Sequence, residues 1–257
     1  FEHWGVENTL NRCEGMFSFA LWCRKTNVLF LGRDRLGEKP LYYGWQDNGR
    51  SRAFLFSSEL KAFKEHNSFK ARVDRDSLSH YMRYNCIPSP HSIYEGIHKL
   101  EPGKFLSVSL KNQDPIIKTY WSGLEEAFKG MASKFQGSET EAINRLENLL
   151  KGTIKDQMIS DVSLGAFLSG GVDSSTIVAL MQSQSNERVK TFTVGFNEED
   201  HNEAQYAKLV ANHLGTDHTE IYVSSKDALE VIPSLPSVFD EPFSDSSQIP
   251  TLLISKL

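Results

Sequence analysis

Long apolar runs are missing from this sequence. Nothing in its 257 residues approaches the roughly 20 consecutive apolar positions that cross a bilayer as a helix, which excludes a helical membrane protein. The beginning, Phe1-Glu2-His3-Trp4, lacks the basic and apolar regions of a secretory signal. Positive charge is also short. Lys and Arg number 28 against 33 Asp and Glu, so the formal net charge is −5, which argues against a general nucleic-acid binder with its basic face. Cysteine is scarce. Cys13, Cys23 and Cys86 have no metal-ligand spacing, and they read as free thiols of a reducing, cytoplasmic compartment, each packed as a small buried hydrophobe. What remains is ordinary globular composition, 39% hydrophobic and 24% charged. The length suits one or two domains of roughly 100–200 residues.

The first part reads as strands. Phe17–Cys23, Val28–Arg33, Leu41–Trp45, Ala53–Ser58 and Lys104–Leu110 are apolar or aromatic runs separated by turn material such as Asp47-Asn48-Gly49 and Glu101-Pro102-Gly103. That spacing predicts an antiparallel sheet, with one helix over Ser77–Asn85 capped by Asp74 or Asp76. Residues 122–138 are polar and contain glycine, and read as a linker. Ile143, Leu146, Leu149, Leu150 and Ile154 then recur at helical spacing within Glu139–Met158, with Thr140 or Ser138 as cap.

From Val162 the pattern changes. An apolar strand, Val162–Leu168, runs into a glycine loop and a helix, Ser174–Gln184, with Ile177, Val178 and Leu180 inward. A strand over Val189–Val194, a helix over Glu203–Leu214 stopped by Gly215, a strand over His218–Val223 and a helix near Lys226–Ile232 follow. This alternation is the signature of a parallel sheet wrapped by helices. The predicted class is therefore α+β followed by α/β.

The chemistry lies in Phe167-Leu168-Ser169-Gly170-Gly171-Val172-Asp173-Ser174-Ser175, between the first strand of that unit and its helix. A polyphosphate needs several backbone N–H groups aimed at one anion. Two adjacent glycines allow that approach, and the following helix adds its free N–H groups and positive dipole end. Ser169, Ser174 and Ser175 can add hydroxyl donors. Asp173 beside a pyrophosphate makes sense only with a Mg²⁺ between them. A Walker loop is excluded because no lysine follows the glycines, and the dinucleotide fingerprint Gly-x-Gly-x-x-Gly is absent.

This string resembles the PP-loop of ATP pyrophosphatases, which cleave ATP between the α and β phosphates. Within that group the chain is similar to the glutamine-hydrolysing asparagine synthetases, especially the bacterial B-type. The similarity extends through Glu14–Trp22, Gly32–Tyr43, Phe56–Ala62, the loop, Phe192–Phe196 and Asp240–Ser247, in that order. It implies the later half of an N-terminal-nucleophile glutaminase domain at 1–121, a linker at 122–138, and the first part of an adenine nucleotide alpha-hydrolase-like synthetase domain at 139–257. It also implies the reaction: ATP and Mg²⁺ activate an aspartate carboxylate as β-aspartyl-AMP, and ammonia from glutamine displaces AMP. Small-molecule substrates, no nucleic acid, no membrane and a homodimer are compatible with it. By resemblance, Leu168 and Val194 hold the adenine through backbone contacts. Ser169, Gly170, Gly171, Val172, Asp173 and Ser174 hold the pyrophosphate, and Asp173 the metal.

The glutaminase nucleophile, an N-terminal cysteine, would precede Phe1, so the chain reads as an internal fragment with no catalytic side chain of its own and no glutaminase activity. Cys13 and Cys23 lack the free α-amino group that serves as base. Two other readings stand beside this one: an amidotransferase acting on a sugar or another carboxylate, and a non-catalytic nucleotide-binding module. Several residues carry bland alternatives. Arg33-Asp34-Arg35 with Glu38-Lys39 reads as a structural ion-pair turn or an inter-domain surface. Asp240, Glu241 and Asp245 read as surface acids or as a wall of the aspartate and Mg²⁺ site. His213 and His218 favour packing or surface roles over a metal, and Trp4, Trp22, Trp45 and Trp121 are expected to pack cores.

Overall fold

The computed structural model describes residues 1–196 and 203–256. In chain order the elements are α1 (Gly5–Arg12), β1 (Ser18–Cys23), β2 (Val28–Arg33), β3 (Tyr42–Asp47), β4 (Arg52–Ser57), a 3-10 turn (Leu60–Glu65), α2 (Arg75–Tyr84), β5 (His98–Lys99), β6 (Lys104–Ser109), β7 (Ile116–Thr119) and α3 (Gly123–Ala132). They continue with α4 (Glu139–Gln157), β8 (Gly165–Phe167), α5 (Val172–Gln184), β9 (Lys190–Phe196), α6 (Ala204–Leu214), β10 (Asp217–Val223), α7 (Ser225–Val231), a short α8 (Leu235–Val238) and α9 (Gln248–Ile254). Two compact units result: Phe1–Lys134 with Pro236–Ser244, and Phe135–Leu235 with Asp245–Leu257.

The first unit holds two antiparallel sheets, ordered β1-β2-β6-β7 and β4-β3-β5. Successive strand residues point to opposite faces, so neighbouring tyrosines of β3 enter different cores. Tyr43 packs with Leu31, Leu41, Leu100, Leu106 and Val108. Tyr42 packs with Leu60, Phe63, Ile87, Ile93 and Ile97. The charged turn after β2 is structural. Asp34 is buried and accepts from the backbone N–H groups of Glu38 and Lys39, each at 2.9 Å. Arg33 donates to the carbonyls of Lys39, Leu100 and Gly37, and its burial pulls the guanidinium pKa down. Its neighbour Arg35 reaches the carbonyl of Asn11. Backbone groups, not an ion pair, satisfy Arg33 and Asp34.

Pro236–Ser244 is held in this unit by its own polar groups. The Asp240 carboxylate accepts from the N–H of Leu60 at 2.8 Å and of Lys61 at 3.2 Å. Glu241 accepts from the N–H of Ile93 at 2.8 Å and pairs with Lys99 at 2.5 Å. The Ser244 N–H donates to Asn85 O at 2.8 Å. Asp240 and Glu241 are therefore half-buried and bound to backbone N–H groups of the first unit, not free surface acids.

The second unit is a parallel sheet, β10-β9-β8, with helices packed on it. One core joins Ile154 of α4 to Leu180 and Met181 of α5 and to Val189. The other joins Leu168 and Val178 to Ala207 and Ala211 of α6. Gly215 ends α6 with φ +72°, the left-handed turn that a helix stop favours.

Several readings need correction. Residues 122–138, the linker segment, are not plain coil but contain α3, whose Ser122 side chain caps the N–H of Glu125. Strand β8 is only Gly165–Phe167, because its ladder with β9 begins at Gly165 opposite Lys190 and leaves Val162 and Leu164 outside it. Ile177 is exposed although Val178 and Leu180 of the same helix are buried. Trp4 and Trp22 are about half exposed and do not pack a core, whereas Trp45 packs against the Tyr43 cluster. The cysteines are free, but Cys13 and Cys23 are half-buried and Cys86 is exposed. None is a core hydrophobe.

Candidate functional site

The loop lies where a parallel sheet offers a site, beyond the carboxyl end of β8 and at the N-terminus of α5. Leu168 is the last anchored residue: its side chain is buried, and its N–H donates to Phe192 O at 2.9 Å. The Thr193 hydroxyl donates to the Leu168 carbonyl, leaving one lone pair on that oxygen. Gly170 then takes φ +80°. A Cβ there would stand 2.7 Å from the N of Ala207 and 2.8 Å from the carbonyl carbon of Tyr206. Only glycine lets the loop lie this close to α6 in this conformation. Gly171 caps α5 without a side-chain bond, so Val172 and Asp173 form the first, exposed helical turn.

The hydroxyls knit the loop together. The Ser169 N–H donates to Ser174 Oγ at 3.2 Å, and the two hydroxyls meet at 2.9 Å. The Gly171 N–H donates to Ser169 Oγ and Ser174 Oγ donates to Gly171 O, both at 3.3 Å. Ser175 Oγ is buried and unpartnered. Enclosed by protein, that hydroxyl is out of reach of a bound ligand in this conformation.

The loop opens on a cavity of about 700 Å³, within the range of small-molecule sites. Of the predicted binding residues, Leu168, Ser169 and Val194 line it, whereas Gly170, Gly171, Val172, Asp173 and Ser174 are not among its lining residues. Strand pairing explains the place of Val194. Strand β8 pairs with β9 only as far as Phe167 opposite Phe192. The Phe192 carbonyl points to the β8 side, where Leu168 meets it, and alternate residues repeat that direction. The Val194 N–H and C=O therefore point to the same side, past the end of β8, toward the cavity.

Sequence reasoning missed the rest of the lining. Phe167, Phe192, Thr193 and Phe196 of the sheet, Glu203, immediately before α6, and Ser246, Ser247, Pro250, Thr251 and Ile254, in and before α9, complete it. The acidic cluster was the misleading signal. Asp240 and Glu241 belong to the first unit, and Asp245 accepts from the Ser247 N–H at 2.7 Å in a local turn. Among the described residues no group of three or more His, Cys, Asp or Glu side chains could hold a metal ion. His218 lies in β10, within 2.9 Å of the Thr191 hydroxyl, and burial lowers its pKa. Its role is packing.

An antiparallel two-sheet unit followed by a parallel sheet with a glycine loop at its carboxyl edge defines the class, an amidotransferase domain joined to a synthase domain. The glutamine amidotransferase domain family matches residues 1–121, and the asparagine synthase family matches residues 145–257. The chain belongs to the glutamine-hydrolysing asparagine synthetase family. It is similar to a Methanocaldococcus jannaschii protein provisionally named asparagine synthetase (glutamine-hydrolyzing) 2, at 38% identity over 95% of this chain and 45% of that protein. It is also similar to asparagine synthetase (glutamine-hydrolyzing) 1 of Bacillus subtilis, at 30% identity over 97% of this chain and 37% of that protein. The chain thus spans under half the length of these relatives. No helix among the described residues is long and apolar enough to cross a membrane.

Proposed function

We propose that the protein carrying this chain is an ATP-dependent amide ligase that converts aspartate to asparagine with glutamine as nitrogen donor, releasing AMP and pyrophosphate. The observation that carries this reading is the Ser169–Gly171 loop, set between a parallel strand and a helix N-terminus, with Ser169 on the wall of the 700 Å³ cavity. The backbone N–H groups at the start of α5 and the helix dipole would stabilise negative charge on the departing pyrophosphate. Adenine would lie against Leu168 and Val194, with the open backbone edge of Val194 as its polar contact.

Asp173 would hold Mg²⁺ in concert with phosphate oxygens, since this chain assembles no metal cage of its own among its described residues. The ion supplies charge neutralisation at the phosphates. No nucleophilic side chain is needed in this unit: the loop would hold the departing pyrophosphate in line with the aspartate carboxylate that attacks the α-phosphorus, and AMP would leave when ammonia attacks the acyl carbon of the resulting adenylate. The reaction belongs in the cytoplasm, where the three free thiols stay reduced.

The test is aspartate-dependent exchange of pyrophosphate into ATP by the protein carrying this chain, across a Mg²⁺ titration. Exchange is expected with aspartate, and Asp173→Asn should raise the Mg²⁺ needed for half-maximal exchange while glutamine hydrolysis persists. Exchange that ignores aspartate would refute the acceptor. Unchanged Mg²⁺ dependence in Asp173→Asn would refute the metal role.

A further inference from the structure

Among the described residues lining the cavity of the second unit, Glu203 is the only one whose side chain ionises. The others are apolar, such as Phe192, Pro250 and Ile254, or hydroxyl-bearing, such as Thr193 and Thr251. A lone carboxylate is an unexpected lining for a site that takes a polyanion. It accepts hydrogen bonds and donates none, so it cannot bind a phosphate oxygen directly. If the ligand is ATP, which is the reading this inference rests on, the carboxylate must face a donor. The nucleotide has two kinds: the hydroxyl pair of the ribose and the exocyclic amine of the base.

Position decides between them. The Glu203 carbonyl accepts from the N–H of Tyr206 at 3.0 Å and of Ala207 at 3.1 Å, so Glu203 forms one turn with those residues. That same turn touches the loop, since a Cβ on Gly170 would lie 2.7 Å from Ala207 N. Glu203 is thus one helical turn from the phosphate loop. Along a nucleotide the ribose adjoins the phosphates and the base lies beyond it. The Glu203 side chain also makes no capping bond to its own helix, which leaves the carboxylate available to a ligand.

We propose that Glu203 determines sugar specificity, its carboxylate accepting hydrogen bonds from the ribose hydroxyls of the bound nucleotide. A vicinal hydroxyl pair suits the two oxygens of one carboxylate. Dinucleotide-binding folds place an acidic residue on a ribose hydroxyl for the same chemical reason.

The experiment is equilibrium binding of ATP, 2′-deoxy-ATP, 3′-deoxy-ATP and ITP, each with Mg²⁺, to the chain and to its Glu203→Gln and Glu203→Ala variants. A charged hydrogen bond predicts that the unaltered chain binds ATP about tenfold or more tighter than either deoxynucleotide. Glu203→Ala should lower ATP affinity by a similar factor and leave the deoxynucleotides nearly unchanged, so the ratio falls toward one. Glu203→Gln, which keeps the shape and one acceptor, should fall between. Equal binding of ATP and both deoxynucleotides by the unaltered chain would overturn the inference, without any variant having to fold. So would an ATP-over-ITP preference that disappears in Glu203→Ala, which would put the carboxylate on the base. Failure of the unaltered chain to bind any of the four would strike the nucleotide reading itself, a result distinct from loss of sugar discrimination.

Discussion

Gly170 is fixed by two independent constraints, a backbone at φ +80° and the α6 backbone within 2.8 Å of any added Cβ. A left-handed conformation alone costs a non-glycine residue roughly 1–2 kcal/mol, and the contact cannot be relieved by a flexible side chain. Gly170→Ala is therefore expected to lose about 2 kcal/mol of stability and all measurable ATP binding, read by chemical denaturation and by calorimetric titration. A variant that melts normally and binds ATP would show that the loop has room to move. Glu241 makes a second residue-scale case. It and Lys99 have side chains only 10% and 14% exposed, and Lys99 also donates to Ile87 O. Removing one partner strands the other in a poorly solvated place, so Glu241→Gln should cost about 3 kcal/mol in urea unfolding. Adding Lys99→Met should recover part of it. A loss under about 1 kcal/mol would mean the pair is as well solvated as a surface one. Neither Glu241 nor Asp240 could be placed from the sequence. Their partners are backbone N–H groups at Leu60, Lys61 and Ile93, about 150–180 positions away in the chain. Local charge pattern says nothing about such donors. The glycine loop was legible because its requirements are local: two small residues, hydroxyls and a helix start.

Caps set the elements. Ser138 with Glu141, and Ser224 with Asp227, form reciprocal boxes at the starts of α4 and α7, and such starts can be read from residue spacing. Asp74 starts α2, accepting from the N–H groups of Asp76 and Ser77 and from the Ser77 hydroxyl. Partial burial raises its pKa, but those hydrogen bonds, with His91 nearby, outweigh it and leave the carboxyl below its ordinary value. The folded-state pKa is then lower than the unfolded one, about 3.9. The cap's contribution is full above that value and is lost as pH falls through the folded-state pKa. Asp74→Ala should cost about 1 kcal/mol at pH 7, and the difference from the unaltered chain should shrink in the acid range. Paired urea titrations at pH 7 and about pH 3 measure it; an undiminished difference at low pH would show that the charge is not what caps α2. Helix α3 escaped the sequence reading because glycines at 123 and 130 flank its middle, yet Leu124, Phe128 and Met131 fall on one helical face. Periodicity identifies a helix more readily than it identifies what covers it: that face of α3 is exposed, as are Ile143, Leu146 and Leu149 of α4.

Across the whole molecule the charge balance is −5, and the cavity that opens from the loop has no lysine or arginine among its described lining residues. A binding site for a polyanion on such a protein must draw its attraction from dipoles and from a metal rather than from fixed cations. These sources respond differently to salt. Basic side chains lose affinity steeply as ionic strength rises, because the Debye length falls from about 10 Å at 0.1 M to about 3 Å at 1 M. Backbone N–H groups at van der Waals range, and an ion held between carboxylate and phosphate, act over distances too short for that screening. Long-range repulsion between an anionic protein and an anionic nucleotide is meanwhile relieved by salt. ATP affinity of this chain should therefore change less than about threefold between 0.05 and 0.5 M KCl at saturating Mg²⁺. It should fall by about tenfold or more when EDTA removes the metal, since one unit of unscreened repulsion at about 4 Å and an effective dielectric near 20 amounts to roughly 4 kcal/mol. Isothermal titration at the two salt concentrations, with and without EDTA, separates the effects. A steep loss with KCl would mean that lysines or arginines grip the phosphates and that the loop amides are not the main source of binding. Indifference to EDTA would remove Mg²⁺ and Asp173 from the account and leave the helix N-terminus and the serine hydroxyls to hold the charge alone.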